Sequence, residues 1–159
     1  MFTMRQTARN ITLLLASGGG VGFLPYIPGT FGTLIAVPVS LAINRLAAAE
    51  PFVAAGALLG LTLIAIGLAD QAARILATKD PQIVVIDEIA GFAAANFLTD
   101  SATGLVVAFV LFRFFDIAKI FPAKKLESLP GGAGIVMDDM IAGLYTFLIL
   151  RLLSSAGLV

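Results

Sequence analysis

Residues 51–69 read PFVAAGALLGLTLIAIGLA and carry no charged side chain. A helix of this length, rising about 1.5 Å per residue, is long enough to cross a hydrocarbon core of about 30 Å. Composition agrees, because 59% of the 159 residues are hydrophobic, 13% are charged and the mean hydropathy is +1.02. In lipid, backbone polar groups need partners within the protein, and helices supply them. The chain is therefore predicted to be all-α, a compact helical integral membrane protein with several transmembrane or half-inserted helices.

The N-terminal part is predicted to lie on the membrane before the chain enters it. Residues 1–16 carry Arg5 and Arg9, a pattern typical of an interfacial helix rather than a cleaved signal peptide. A Gly/Pro-rich loop is expected over residues 17–32. Thr33 is then expected to cap a helix that reaches residue 49.

The C-terminal half contains shorter apolar segments. Residues 89–98 and 104–121 flank a polar tip at 99–101, and each is too short to span a membrane alone. The two pieces are either half-inserted or one interrupted span, and the sequence leaves both alternatives open. The last helix is expected to begin at Asp138. Because no repeat or linker is visible, residues 1–159 are interpreted as a single membrane-embedded domain.

Composition also excludes several functional classes. Ten basic and ten acidic residues give a net charge of zero, so nucleic acid is not an expected partner. Cysteine and histidine are absent, which excludes disulfides, thiolate metal sites and phosphohistidine intermediates. For phosphoryl transfer, the remaining chemistry is attack by metal-activated water, with carboxylates as ligands and general base.

The acidic residues are unevenly distributed along this apolar chain. Asp87-Glu88, Asp116 and Asp138-Asp139 each adjoin strongly apolar sequence, and a carboxylate at the bilayer centre costs about 2.5–3.5 kcal/mol. Taken alone, either acidic pair is explained equally well as a helix cap. Taken together, the five are predicted to converge on a positive ion. Oxygen ligands without histidine or cysteine favour Mg²⁺.

A second candidate feature is the segment from Arg113 to Lys119, RFFDIAK. Its two cations lie three residues on either side of Asp116, so the three side chains share one broad helix face. One interpretation is an ion-pair ladder at the membrane interface. The other, which the neighbouring phenylalanines favour, is a site where Lys119 and Arg113 bind phosphate oxygens while Asp116 holds metal.

Two glycine-containing loops complete the candidate features. In the loop PGTFGT, residues 28–33, the backbone at Gly32 and the hydroxyls of Thr30 and Thr33 are candidates for binding phosphate, although the loop is equally explained as a connector. In the second, Gly131-Gly132-Ala133-Gly134 precedes Asp138. The small pair Ala142-Gly143 nearby is interpreted as close helix packing.

Four blocks of sequence, in this order and spacing, resemble the phosphatidylglycerophosphatase A family. They are Pro28-Gly29-Thr30-Phe31-Gly32-Thr33, Asp87-Glu88-Ile89-Ala90-Gly91, Phe112-Arg113-x-x-Asp116-x-x-Lys119 and Gly131-Gly132-x-Gly134-x-x-x-Asp138-Asp139-x-x-Ala142-Gly143. Together they cover about residues 17–145. The resemblance implies an all-helical, multi-pass enzyme of the bacterial inner membrane with its active site towards the cytoplasm.

The implied reaction is Mg²⁺-dependent hydrolysis of phosphatidylglycerophosphate to phosphatidylglycerol and phosphate. The acidic site residues carried over from the family are Asp87, Glu88, Asp116, Asp138 and Asp139. Lys119 and Arg113 are carried over as phosphate-side cations, with Thr30 and Thr33 as further phosphate ligands. Oligomerisation is compatible with the sequence. The alternatives are a small cation or proton transporter and a non-catalytic membrane assembly subunit.

Overall fold

The computed structural model describes residues 2–159, which form seven α-helices and one short 3₁₀ turn, and no β-strand is found among those residues. The helices are α1 (Phe2–Ala16), α2 (Pro28–Ala49), α3 (Pro51–Leu76), α4 (Ile86–Ala95), α5 (Ala102–Ala118), α6 (Ala123–Leu126) and α7 (Gly132–Ser155), and the 3₁₀ turn is Val21–Phe23. The all-α prediction is confirmed.

Three helices of the described chain are long and apolar enough to cross a membrane, namely α2, α3 and α7. The uncharged stretch of residues 51–69 lies within α3, whose 26 residues would extend about 39 Å at 1.5 Å each. Many large apolar side chains of these helices are exposed, including Leu59, Leu63 and Leu148. Exposed apolar faces on long helices indicate a membrane-associated protein.

The first two long helices form a hairpin, and α2 begins earlier than expected. Glu50 alone separates α2 from α3. The prediction that Thr33 caps α2 is wrong, because the helix begins at Pro28, whose missing N–H group suits the first helical position. Thr33 lies inside the helix, where its hydroxyl donates a hydrogen bond to the carbonyl of Gly29 at 2.9 Å.

Helices α4 and α5 form an inner hairpin that packs among the spanning helices. Seven of the ten residues of α4 are buried, and α4 contacts α7, α2 and α3. At 1.5 Å per residue, α4 extends about 15 Å and α5 about 25 Å. Neither helix is a candidate span. Of the two alternatives, half-inserted pieces or one interrupted span, the structure favours the first. The beginning of α4 and the end of α5 lie at the same end of the bundle.

The tip of this hairpin is held by two asparagines, the half-buried Asn44 and the buried Asn96. The Asn44 side-chain amide donates to the carbonyls of Asn96 at 2.7 Å and Thr99 at 2.8 Å, and its oxygen accepts from the Leu98 N–H at 2.9 Å. The Asn96 amide in turn donates to the Ser40 hydroxyl at 3.0 Å. These bonds satisfy backbone groups at the C-terminal end of α4 that would otherwise be buried without partners.

The last helix also begins earlier than expected. The prediction that Asp138 opens it is wrong, because α7 begins at Gly132 and Asp138 lies in its second turn. Gly131 adopts a φ of +66°, and the Gly132 N–H donates to the Asp70 carboxylate at 3.3 Å. A four-residue helix, α6, was also not predicted in the preceding segment. Asp138 and Asp139 are therefore buried positions inside a helix, and the capping interpretation fails for them.

The α4–α7 crossing depends on glycine. A Cβ atom built on Gly91 would lie 2.8 Å from the carbonyl oxygen of Asp139 and 2.9 Å from its Cβ. A Cβ atom on Gly143 would overlap the carbonyl oxygen of Gly91. The two helix backbones therefore approach so closely that neither position has space for a side chain. The packing interpretation of Gly143 agrees with this geometry.

We predict that Gly91→Ala destabilises the protein by about 1–3 kcal/mol, the usual cost of overpacking a tight contact. Thermal unfolding of the purified protein in detergent measures the effect. Gly60→Ala in α3 is the matched control, because a Cβ atom there meets nothing within 4 Å. Equal unfolding temperatures for the two variants would contradict the proposed close approach.

Candidate active site

One cleft gathers most of the charged residues singled out in the sequence. Its volume is about 410 Å³, and it is bordered by the N-terminal end of α2, the turn before α4, the start of α4, the end of α5 and the second turn of α7. The charged side chains on its lining are Asp80, Asp87, Glu88, Arg113, Asp116, Lys119, Asp138 and Asp139. Residues from four helices, as far apart in sequence as Pro28 and Asp139, therefore meet in one place.

Three carboxylates form the centre of this cleft. One oxygen each from Asp87, Glu88 and Asp139 lies within 4.8 Å of the other two. Asp87 and Glu88 occupy the first turn of α4, where the helix dipole favours negative charge. Asp139 reaches them because α7 crosses α4 beside Gly91. Like charges this close repel strongly unless a positive group lies between them.

Several carboxylate oxygens in the cleft are buried without a hydrogen-bond partner among the described residues. They are Asp87 Oδ1, Glu88 Oε2, Asp138 Oδ1 and Asp139 Oδ2. A buried polar atom without a partner is costly, and its presence calls for an explanation such as an unseen ion. The donor set consists entirely of oxygen atoms, which suits a hard divalent cation. These residues could therefore hold a metal ion.

The remaining two predicted ligands are paired with the predicted phosphate-side cations. Arg113 Nη1 contacts Asp116 Oδ2 at 2.5 Å and lies 4.0 Å from Glu88 Oε1. Lys119 Nζ donates to Asp138 Oδ2 at 2.7 Å. Asp116 and Asp138 thus adjoin the three-carboxylate cluster without belonging to it, and each orients one basic side chain beside it.

Lys119 lies at the C-terminal end of α5, and neighbouring carboxylates stabilise its charge. It ends α5 in a left-handed conformation, with a φ of 44°. Burial by itself lowers the pKa of Lys119, but the hydrogen bond and charge of Asp138, with the charges of Glu127 and Asp80, raise the pKa overall above its ordinary value. The ammonium group therefore stays charged at neutral pH, and it can bind an anion.

Of the three α2 residues predicted to bind phosphate, one lines the cleft and two do not. Thr30 lines the cleft. Thr33 is buried, and its oxygen accepts a hydrogen bond from Arg113 Nη1 at 3.5 Å. Gly32 packs on Val85, where a Cβ atom would lie 2.7 Å from the Val85 Cβ. Of the three residues predicted to bind phosphate here, only Thr30 has direct access to the cleft.

Other lining residues were not predicted from the sequence. Gly29 faces the side chains of Glu88 and Arg113, since a Cβ atom there would overlap Glu88 Oε1 and lie 3.1 Å from Arg113 Nη1. Tyr26, Asp80 and Gln82 also line the cleft. Gly29 lies in a segment that was already a candidate, but no periodicity or spacing connects residues 80–82 with the rest of the site.

Comparison with known proteins identifies the family. The sequence model described as Phosphatidylglycerophosphatase A matches residues 14–154 of this chain. The chain belongs to the phosphatidylglycerophosphatase A family. The prediction of an enzyme is therefore confirmed, and the enzyme is a phosphatase. The alternatives of a transporter and a non-catalytic subunit are not supported.

Three curated relatives of this phosphatidylglycerophosphatase A family member cover most of its length. A Bacteroides thetaiotaomicron protein named "Putative phosphatidylinositol-3-phosphatase" is 35% identical over 88% of this chain and 91% of its own. A Haemophilus influenzae protein named phosphatidylglycerophosphatase A is 32% identical over 86% and 84%. Its Escherichia coli namesake is 32% identical over 82% and 76%. No solved structure gives a significant match.

We predict that a divalent cation stabilises the folded protein by neutralising the three-carboxylate cluster. At a Mg²⁺ or Mn²⁺ concentration about 100 times the dissociation constant, the unfolding temperature in detergent should rise by about 5–10 °C. Asp139→Asn should abolish this rise. Asp100→Asn is the control, because Asp100 lies outside the cleft next to the hairpin tip. A rise that persists in Asp139→Asn would locate the cation elsewhere.

Proposed function

We propose that this phosphatase is a Mg²⁺-dependent phosphatidylglycerophosphatase, which hydrolyses the terminal phosphate monoester of phosphatidylglycerophosphate to phosphatidylglycerol and phosphate. The observation that carries the proposal is a cleft in which three clustered carboxylates lie beside Arg113 and Lys119. A phosphate monoester is a dianion that needs both a metal and basic side chains around it. Two of the three curated relatives carry the name of this activity.

The location of the cleft fits a lipid substrate. Exposed apolar side chains lie next to it on the end of α5, including Phe114 (57% exposed), Ile117 (73%) and Phe121 (74%) just beyond. Two acyl chains would remain in the bilayer against this surface while the headgroup enters the cleft. The third relative is named for a different lipid phosphate, so a lipid phosphate monoester is the chemistry that the three names share.

The cation site in this proposal consists of Asp87, Glu88 and Asp139, with Asp116 and Asp138 beside them. A bound Mg²⁺ would neutralise phosphate charge and lower the pKa of a water molecule. Lys119 and Arg113 bind the non-bridging phosphate oxygens. Asp87 or Glu88 accepts the proton as the water oxygen attacks phosphorus and the bond to the glycerol oxygen breaks. The glycerol oxygen takes up a proton, from that carboxylic acid or from water, and leaves as the alcohol.

Ion pairs restrain the two basic residues in productive positions. Asp138 and Asp116 fix the Lys119 and Arg113 side chains before substrate binds. Thr33 accepts from Arg113 on the side away from the cleft. Gly29 leaves the space that Glu88 and Arg113 occupy. Preorganised charges of this kind stabilise the transition state without reorganising during the reaction.

The cleft end of the bundle is proposed to face the cytoplasm of a bacterium, in its inner membrane. Outside α1, which carries Arg5 and Arg9, exposed basic residues are more numerous at this end, where Arg74, Lys79, Lys124 and Lys125 lie, than at the other, which holds Arg45 and the partly exposed Arg151. Lysine and arginine enrichment marks cytoplasmic segments.

The activity is tested by phosphate release from phosphatidylglycerophosphate in mixed micelles. We expect release with Mg²⁺, none with a chelator, and recovery when Mg²⁺ is restored. Asp139→Asn and Lys119→Gln should each lower kcat by about 100-fold or more, as expected for lost charge stabilisation.

The matched controls for these variants are Asp100→Asn and Lys124→Gln, both exposed and outside the cleft. They should retain wild-type turnover. Release that is insensitive to chelator would contradict the metal mechanism, and full turnover by Asp139→Asn would contradict the assignment of the site.

The orientation is tested by cysteine labelling, since the chain contains no cysteine. Single substitutions Lys124→Cys at the cleft end and Glu50→Cys at the opposite end give one reactive thiol each. In right-side-out spheroplasts, an impermeant maleimide should label Glu50→Cys alone. In inverted membrane vesicles it should label Lys124→Cys alone, and the reverse pattern would contradict a cytoplasmic site.

A further inference from the structure

The mouth of the cleft differs chemically from its floor. The floor carries the buried and half-buried carboxylates and the two basic residues, whereas the exposed polar side chains on the lining are Tyr26, Asp80 and Gln82. A volume of about 410 Å³ lies within the range of about 300–1,000 Å³ typical of small-molecule sites. The cleft therefore has space for more of the headgroup than its phosphate.

Packing of the Tyr26 side chain does not explain the backbone conformation of this residue. Its φ of 79° is unfavourable for a residue with a Cβ atom. The residues on either side of it form a tight turn, in which the Ile27 N–H donates to the Pro25 carbonyl at 3.2 Å. Its side chain is 96% exposed, so it does not stabilise the core. Strained residues of this kind cluster at binding sites.

Gln82 is presented to the cleft by a defined turn. The Val84 N–H bonds to the Pro81 carbonyl at 2.9 Å, and the next residue, Val85, bonds to the Ala16 carbonyl at 2.9 Å. The Gln82 side chain at the head of this turn is exposed, and it lines the cleft. Its amide can both donate and accept hydrogen bonds.

The two segments that carry these residues pack on each other. Gly22 in the 3₁₀ turn lies against Ile83, so closely that a Cβ atom would overlap the Ile83 carbonyl oxygen. Tyr26 lies three residues after Phe23, the last residue of this turn, and Gln82 immediately precedes Ile83. The backbone packing therefore brings two neutral hydrogen-bonding side chains, Tyr26 and Gln82, to the cleft mouth, where Asp80 is the exposed charged residue.

We propose that Tyr26 and Gln82 determine headgroup specificity by hydrogen bonding the hydroxylated alcohol that carries the phosphate monoester. This inference rests on the proposed function, because it assumes a lipid phosphate whose monoester binds the floor. A phenol hydroxyl and an amide can both donate and accept hydrogen bonds, so they can pair with the hydroxyl groups of such an alcohol. The substrate class is a lipid whose monoester is borne by a polyol rather than directly by diacylglycerol.

The test compares phosphatidylglycerophosphate with phosphatidic acid, whose monoester has no intervening polyol. Tyr26→Phe removes one hydroxyl, and Gln82→Ala removes one amide. Each should lower kcat/KM for phosphatidylglycerophosphate by about five- to tenfold, mainly through KM, as expected for one lost hydrogen bond. Turnover of phosphatidic acid should not change. Gln6→Ala, in α1 and outside the cleft, is the matched control.

Competitive inhibition gives a second measurement that does not depend on phosphatidic acid turnover. Both variants should weaken inhibition by glycerol 3-phosphate and leave inhibition by inorganic phosphate unchanged. Equal losses for both inhibitors, or for both lipids, would overturn the proposal and identify Tyr26 as a general membrane contact. Unchanged constants would also overturn it. Failure of the proposed function is distinguished by the wild-type protein, which would then release no phosphate from phosphatidylglycerophosphate.

Discussion

Three carboxylate groups within 4.8 Å of one another inside an apolar helical bundle are the constraint on which the rest of the site depends. Their repulsion, and the loss of hydration on burial, oppose folding unless positive charge compensates them. Arg113 and Lys119 supply part of this positive charge. Each is held beside the cluster by an ion pair, Arg113 with Asp116 and Lys119 with Asp138. Oxygens without partners remain at the centre, and a divalent cation bound there would contribute both stability and chemistry.

The backbone packing that creates this cluster is as important as the charged residues. Gly91 and Gly143 let α4 and α7 approach closely enough for Asp139 to reach Asp87 and Glu88. The inner hairpin then returns the end of α5 to the same end of the bundle. At the far end, Asn44 fixes the hairpin tip through three hydrogen bonds. A membrane protein with few charges can in this way hold a charged site on rigid helices.

The proposal divides the cleft between two tasks. In it, the charged floor binds a phosphate monoester and cleaves it, and a lipid phosphate is what the names of the three relatives share. The mouth, where Tyr26 and Gln82 lie outside the three long apolar helices, is proposed to contact the alcohol that bears that phosphate. Because the two tasks use different residues, headgroup preference can differ between relatives without a change in the catalytic cluster.

The sequence by itself determined the helical class, the membrane association and the identity of the charged residues, because apolar length and isolated carboxylates are local properties. It did not determine where α2 and α7 begin: Pro28 and Gly132 start them earlier than the expected starts at Thr33 and Asp138. Only the tertiary structure decided that Asp87, Glu88 and Asp139 form the central cluster, and that Tyr26 and Gln82 lie at its mouth. The reason is physical, since those positions depend on how helices distant in sequence cross and on how two loops pack, and no local pattern encodes either.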